Sequence, residues 1–297
     1  MFNHFETITL LEITFLAATV NGALGYGFSS ITVPIALLFY TNRILNPALV
    51  LVEVVLNGYV LFINRKSVPL AWKRVFPILV GLVLGVIVGS HILFSASPAW
   101  LKFFTYAILL PLILLQAAGV RRHIHSERAV GVPFGLGVGV LYSVTTISGP
   151  PLALMFNNQG LVKGEFRAAL SLVRVAESTL TAIAYYFLGL YSVNSTGLLF
   201  SIVPSVALGV PLGAYLIRRM DAETFRRICM SFDAWVVGFG FSRVLIDLEV
   251  LASPMAYSAL LAAALIDAYL LYIYFIKRQR LGLASTASFE GVTLRRK

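Results

Sequence analysis

The sequence predicts an all-α polytopic membrane protein: two inverted repeats, each opening on a broken or re-entrant helix hairpin, plus one extra C-terminal transmembrane helix. Three observations predict it. The 297 residues are 59% hydrophobic and only 12% charged, against about 25% charged in a soluble domain. Nine hydrophobic runs fall at roughly 8–40, 46–63, 75–94, 100–119, 131–157, 168–190, 197–217, 226–246 and 254–276. At about 20 residues per span they fill the chain and leave no sizeable soluble domain. Finally, the basic residues gather on one side of the membrane under only one folding of those runs.

Segment 1 has 33 residues and segment 5 has 27, and both are interrupted by polar, glycine-rich sequence. As one straight helix segment 1 would run about 50 Å, against a hydrocarbon core of about 30 Å. Nine plain crossings split the bases 14 against 8. If segments 1 and 5 instead enter and return on the same side, 19 of the 23 bases lie inside, only Arg43, Lys102 and Arg243 lie outside, and Arg174 falls within segment 6. Cytoplasmic loops are the positive ones, so the hairpin folding is preferred. It leaves three full crossings per repeat and therefore inverts the second repeat. The N-terminus is then outside and the C-terminus cytoplasmic, in a multi-pass membrane protein. The net charge of +10 thereby becomes a statement about topology, and nucleic acid is not an expected partner.

Internal duplication supports this division. An offset of 117 aligns Gly22 with Gly139, Leu24 with Leu141, Pro34 with Pro151 and Phe39 with Phe156. An offset of 124 places Gly85 and Gly89 of segment 3 on Gly209 and Gly213 of segment 7. Segments 1–4 and 5–8 are the repeats, with units expected at 1–125, 126–250, 251–276 for the extra helix and 277–297 for a basic, flexible cytoplasmic tail. The sequence MFNHFETITL lacks a basic n-region and an A-x-A-like site, so segment 1 is expected to be retained. One cysteine, Cys229, permits no intrachain disulfide.

The chemistry is expected at the two interruptions. Segment 1 reads NGALGYGFSSITVP there and segment 5 reads LYSVTTISGPP. Glycine lets the backbone turn and approach a ligand closely, and proline suits the first turn of a new helix. A helix N-terminus offers N–H donors and a positive dipole to an anion. Gly25, Gly27, Ser29, Ser30 and Thr32 in one repeat, with Thr145, Thr146, Ser148 and Gly149 in the other, are the expected anion seat. Small residues that merely permit close packing are the plainer explanation. Arg174 is the candidate for direct anion contact through its fork of donors; a structural pair with Glu177 or Glu53 is the alternative. An alignment with four extra residues in the second repeat sets Glu53 opposite Arg174. Glu53 and Glu177 are coupling or gating candidates. Asp233, Asp267, Glu12, Asn21, Asn57, His91 and Arg167 receive no firmer role, and His123 and His125 read as a solvated basic loop. No cofactor or metal is expected.

The motifs GALGYGFSSITVP and SGPPLAL, the FRAA at Phe166–Ala169 and the G-x-x-x-G of segments 3 and 7 resemble those of the TauE/SafE family of sulfite and organosulfonate transporters. The resemblance covers residues 10 to about 247 and stops before segment 9. It implies movement of a small organosulfur or sulfur oxyanion across the bacterial inner membrane. The expected function is secondary transport by alternating access, in the direction of export, with protons as the coupling ion and a homodimer as an allowed assembly. A passive anion channel and an intramembrane enzyme are the competing classes. No H-E-x-x-H, G-x-S-x-G or paired Asp/His set occurs in a span, so the chain is not expected to be an enzyme.

Overall fold

Two backbone breaks divide the long apolar runs. In the computed structural model, which describes residues 4–294 except 26, 119–126, 159–162, 217, 218, 220 and 221, helix α1 (His4–Leu24) stops before Gly25 and α2 (Phe28–Ala36) starts after Gly27. Both glycines have positive φ, +83° and +105°, a region that strains a residue carrying a Cβ. The second run breaks between α6 (Glu127–Thr145) and α7 (Gly149–Asn158). There Thr146 takes φ +57°, and its hydroxyl donates to the Thr145 carbonyl at 2.7 Å.

The described residues form helices and turns with no strand. The other helices are α3 (Asn42–Asn64), α4 (Val68–Ser95), α5 (Pro98–Ala117), α8 (Lys163–Phe187), α9 (Val193–Gly197), α10 (Leu199–Leu216), α11 (Ala222–Asp247) and α12 (Ser258–Leu294). Among the described residues six stretches are long and apolar enough to cross a bilayer. One of them, Asn42–Ser95, has 54 residues, about 80 Å as a straight helix, and contains α3 and α4 joined by a 3-10 turn at Arg65–Ser67. The chain is a multi-pass membrane protein. His123 and His125 lie outside the described residues. The backbone of the basic tail continues α12 as helix to Leu294, where a flexible chain was expected. Extending an existing helix avoids the nucleation cost, and the Leu, Ala, Arg and Gln residues there favour it.

Glycine seams set how the helices pack, as close approach of backbones does in lipid. Helix α4 lies on α6: a Cβ at Gly85 would stand 2.2 Å from the Leu136 carbonyl oxygen and 3.0 Å from the Gly139 Cα. Helix α10 lies on α1: a Cβ at Gly209 would stand 2.8 Å from the Phe15 carbonyl oxygen and 2.7 Å from the Ala18 Cβ. Gly85 and Gly209 are 124 apart, as the sequence suggests. Their partners, Phe15 with Leu136 and Ala18 with Gly139, are 121 apart. The hairpins therefore correspond at 121 and not at 117, and that register also sets Gly25 on Thr146, the two breaks with positive φ. Gly, Leu and Pro are common enough in apolar helices to match at several offsets; the contacts select one.

Arg43, in the first turn of α3, donates to the carbonyls of Leu93, Phe94 and Ala96 at 3.0, 2.6 and 2.7 Å. It thereby serves the last carbonyls of α4, which have no partner within the helix. Helix α12 is tied to α11 by Asp267, whose Oδ1 accepts from Arg227 at 3.5 Å and from Ser231 at 3.1 Å.

Candidate functional site

Each hairpin presents a serine near the start of its second half-helix, and each serine meets a carboxylate. Ser29 donates to Glu53 Oε1 at 2.6 Å, and Ser148 donates to Glu177 Oε1. An ionised side chain inside a membrane needs partners, and Glu53 has three. Arg174 donates to the same Oε1 at 3.0 Å and the Tyr142 hydroxyl donates to Oε2 at 2.6 Å. Glu53 and Glu177 are fully buried, and Arg174 is 3% exposed. Glu177 Oε2 and Arg174 Nε have no partner among the described residues. The structure thus joins Ser29, Ser148, Glu53, Glu177 and Arg174 at the hairpin breaks.

The other expected donors separate from this group. Thr145 donates to the Leu141 carbonyl at 2.7 Å and accepts the Ile147 N–H at 3.1 Å, so its hydroxyl and that of Thr146 serve the broken backbone. Thr32 is buried with its hydroxyl unpartnered among the described residues. The two helix ends are also unequal. Gly27 caps α2, and its carbonyl accepts the Ile31 N–H at 3.3 Å. That leaves the N–H groups of Phe28, Ser29 and Ser30 without an acceptor inside the helix. In α7 the first carbonyl bond runs from Leu152 to Ser148 at 3.1 Å, but Pro150 and Pro151 carry no N–H. Gly149 alone supplies one there.

Four residues escaped a firm reading from sequence. Tyr142 stands inside an apolar run with nothing to mark it. Asn42 and Asn46 donate to the Val144 carbonyl at 3.2 and 2.6 Å, which holds the end of α6 against α3. Asn21, at the corresponding end of α1, is 1% exposed, and neither amide atom has a partner among the described residues. Of the remaining polar candidates, Asn57 donates to the Arg174 carbonyl at 3.4 Å, an interhelical bond. Glu12, His91 and Arg167 are exposed. No group of three or more His, Cys, Asp or Glu able to hold a metal occurs among the described residues.

The two halves are packed unequally around this site. Helix α4 lies along α8, whereas the corresponding pair, α10 and α3, barely touch. A cavity of about 690 Å³ separates them, lined by Tyr59 and Ile63 of α3, Val203 and Val210 of α10, Asn21 and Arg167. It reaches Gly25 at the first break and Asn64 at the end of α3.

Comparison with known proteins decides what this arrangement belongs to. The profile of the sulfite exporter TauE/SafE family matches residues 10–240. The chain belongs to the TauE/SafE family. No curated protein and no solved structure matches it. The TauE/SafE match takes in both hairpins and every residue of the buried group, and it ends within α11. Helix α12 therefore lies beyond the matched TauE/SafE region. The TauE/SafE family is one of transporters, in line with the expectation that the chain moves a solute.

Proposed function

We propose that this protein is a secondary transporter that carries a small sulfur oxyanion or organosulfur anion, sulfite or a sulfonate, across the inner membrane by alternating access, in the direction of export and coupled to protons. The unequal packing carries this assignment. In an inverted-repeat carrier the two halves exchange conformations, so corresponding helix pairs are closed on one side and parted on the other. Here α4–α8 is closed and α3–α10 is parted by a cavity that reaches the first break. Positive loop charge puts Asn64 on the cytoplasmic side, so this is the inward-facing arrangement.

The anion seat is the start of α2, with Gly25, Gly27, Ser29, Ser30 and Thr32, faced by Ser148 and Gly149, while Thr145 and Thr146 keep the second break in shape. Arg174 contributes its unpartnered Nε edge while it holds Glu53. Glu53 and Glu177, each bonded to a hairpin serine, couple the hairpins to α3 and α8 and act in gating.

Flux of radiolabelled sulfite and of a sulfonate into proteoliposomes tests this. Saturable, gradient-dependent flux that Arg174→Ala abolishes is the expected result. Unchanged flux and affinity in that variant remove Arg174 from the site, and flux indifferent to every gradient indicates a channel.

A further inference from the structure

Asp233 of α11 is the buried acid that the site above does not use. It is 8% exposed, its Oδ1 has no partner, and no hydrogen bond to it is formed among the described residues. It borders a second cavity of about 20 Å³ between the two hairpin tips, together with Gly27, Ser30, Pro150 and Ile113. That volume is enough for one water, which requires about 10–15 Å³.

Among the described residues the surrounding elements give this carboxylate no counter-charge. On α11 itself, Cys229 borders the same cavity. Helix α12 presents Asp267, bonded to Arg227 and Ser231. Helix α5 presents Tyr106, whose hydroxyl donates to the Pro34 carbonyl, and Lys102, whose charged neighbour is Asp247. Ahead of α12, Tyr257 stacks on Phe239. Helices α1, α2 and α7 line the cavity with Val20, Leu24, Gly27, Ser30, Ile31 and Pro150, none of them ionisable. Across the tip of α7, Glu177 is held by Ser148.

Around the hairpin tips the described buried charges are therefore one base, Arg174, and three acids, Glu53, Glu177 and Asp233. Repulsion between an entering anion and any ionised acid there is strong, and a buried carboxylate without a donor is the least able to keep its charge. Among the described residues Glu53 has three donors and Glu177 has one, whereas Asp233 has none. We infer that Asp233 is the proton-binding site of coupled transport: it takes a proton through the adjoining cavity when the anion binds, and proton and anion cross together, outward where the anion's own gradient drives both. This rests on the transport assignment above and adds the coupling residue to it.

The test uses the full chain in proteoliposomes carrying a pH-sensitive dye, with a radiolabelled alkanesulfonate as substrate. A sulfonic acid stays ionised throughout, so any proton that moves is not carried by it. In the unaltered chain protons enter with the anion, and flux rises as pH falls. In Asp233→Asn the protons moved per anion drop about tenfold or more and the pH dependence flattens, as expected of a lost intramembrane proton relay. An unchanged proton-to-anion ratio in that variant overturns the inference while leaving anion transport standing. Flux that follows sodium and ignores pH in the unaltered chain overturns it as well. Absence of any anion flux in the unaltered chain overturns both assignments. Asp233→Glu is the second variant: it must move protons with a displaced pH midpoint, and an unshifted midpoint overturns the inference even if Asp233→Asn is not recovered folded.

Discussion

Arg174 donates to Glu53 across 3.0 Å, and the two stand 121 residues apart, the spacing that superposes the two hairpins. They are corresponding positions of the two halves, an acid in one and a base in the other, joined where α3 meets α8. Removing one partner leaves a buried charge without its counter-ion. Arg174→Ala should lower stability by about 3–5 kcal/mol, and adding Glu53→Gln should restore most of it. Thermal denaturation in detergent reads both, and equal midpoints for single and double variants would show that the pair is not coupled.

The seam between α4 and α6 discriminates between neighbouring glycines. A Cβ at Gly135 would stand 2.0 Å from the Ile78 carbonyl oxygen, whereas one at Gly137 would meet nothing within 4 Å. Gly135→Leu should therefore unseat the helix and abolish recovery of monodisperse protein, and Gly137→Leu should be tolerated within about 1 kcal/mol. Size-exclusion profiles after solubilisation give the comparison.

Much of this fold is legible in the sequence because the bilayer allows few solutions. Excess length locates both helix breaks without any contact information, and Gly25 and Gly27 mark the first by composition alone. The register was less legible: glycine and leucine match at several spacings, and only the apposition of Gly85 with Gly139 and Gly209 with Ala18 chooses among them. At the site, Glu53, Glu177 and Arg174 announce themselves as charges in spans. Tyr142 and Asn46 do not, since a tyrosine or asparagine in an apolar helix carries no sign of which carbonyl or carboxylate it will meet. The hydroxyls of Thr145 and Thr146 look like ligand donors until the local backbone claims them.

Asn21 offers a test of the parted interface. Its amide is buried without a partner among the described residues and borders the α3–α10 cavity. An unsatisfied buried polar group costs about 1–3 kcal/mol. Asn21→Leu should consequently raise the melting temperature while lowering sulfite flux. A variant that is both less stable and fully active would contradict this account.

Topology is decided by three introduced cysteines in a Cys229→Ser background. Hairpin folding puts Lys66→Cys and Gln159→Cys on one side of the membrane and Thr41→Cys on the other. Nine plain crossings put Thr41 with Gln159 and Lys66 opposite. Labelling of intact and opened vesicles with an impermeant maleimide separates the two patterns.

Arg43 gives the parted interface a mechanical context. It fastens the final carbonyls of α4 to the opening turn of α3, while the 3-10 turn at Arg65–Ser67 joins their other ends. Two helices closed at both ends form a rigid frame, and a frame cannot bend at one edge alone. Any displacement that brings α3 toward α10 must therefore drag α4 along its glycine seam with α6, so the empty space on one flank and the tight seam on the other are the two arms of a single lever.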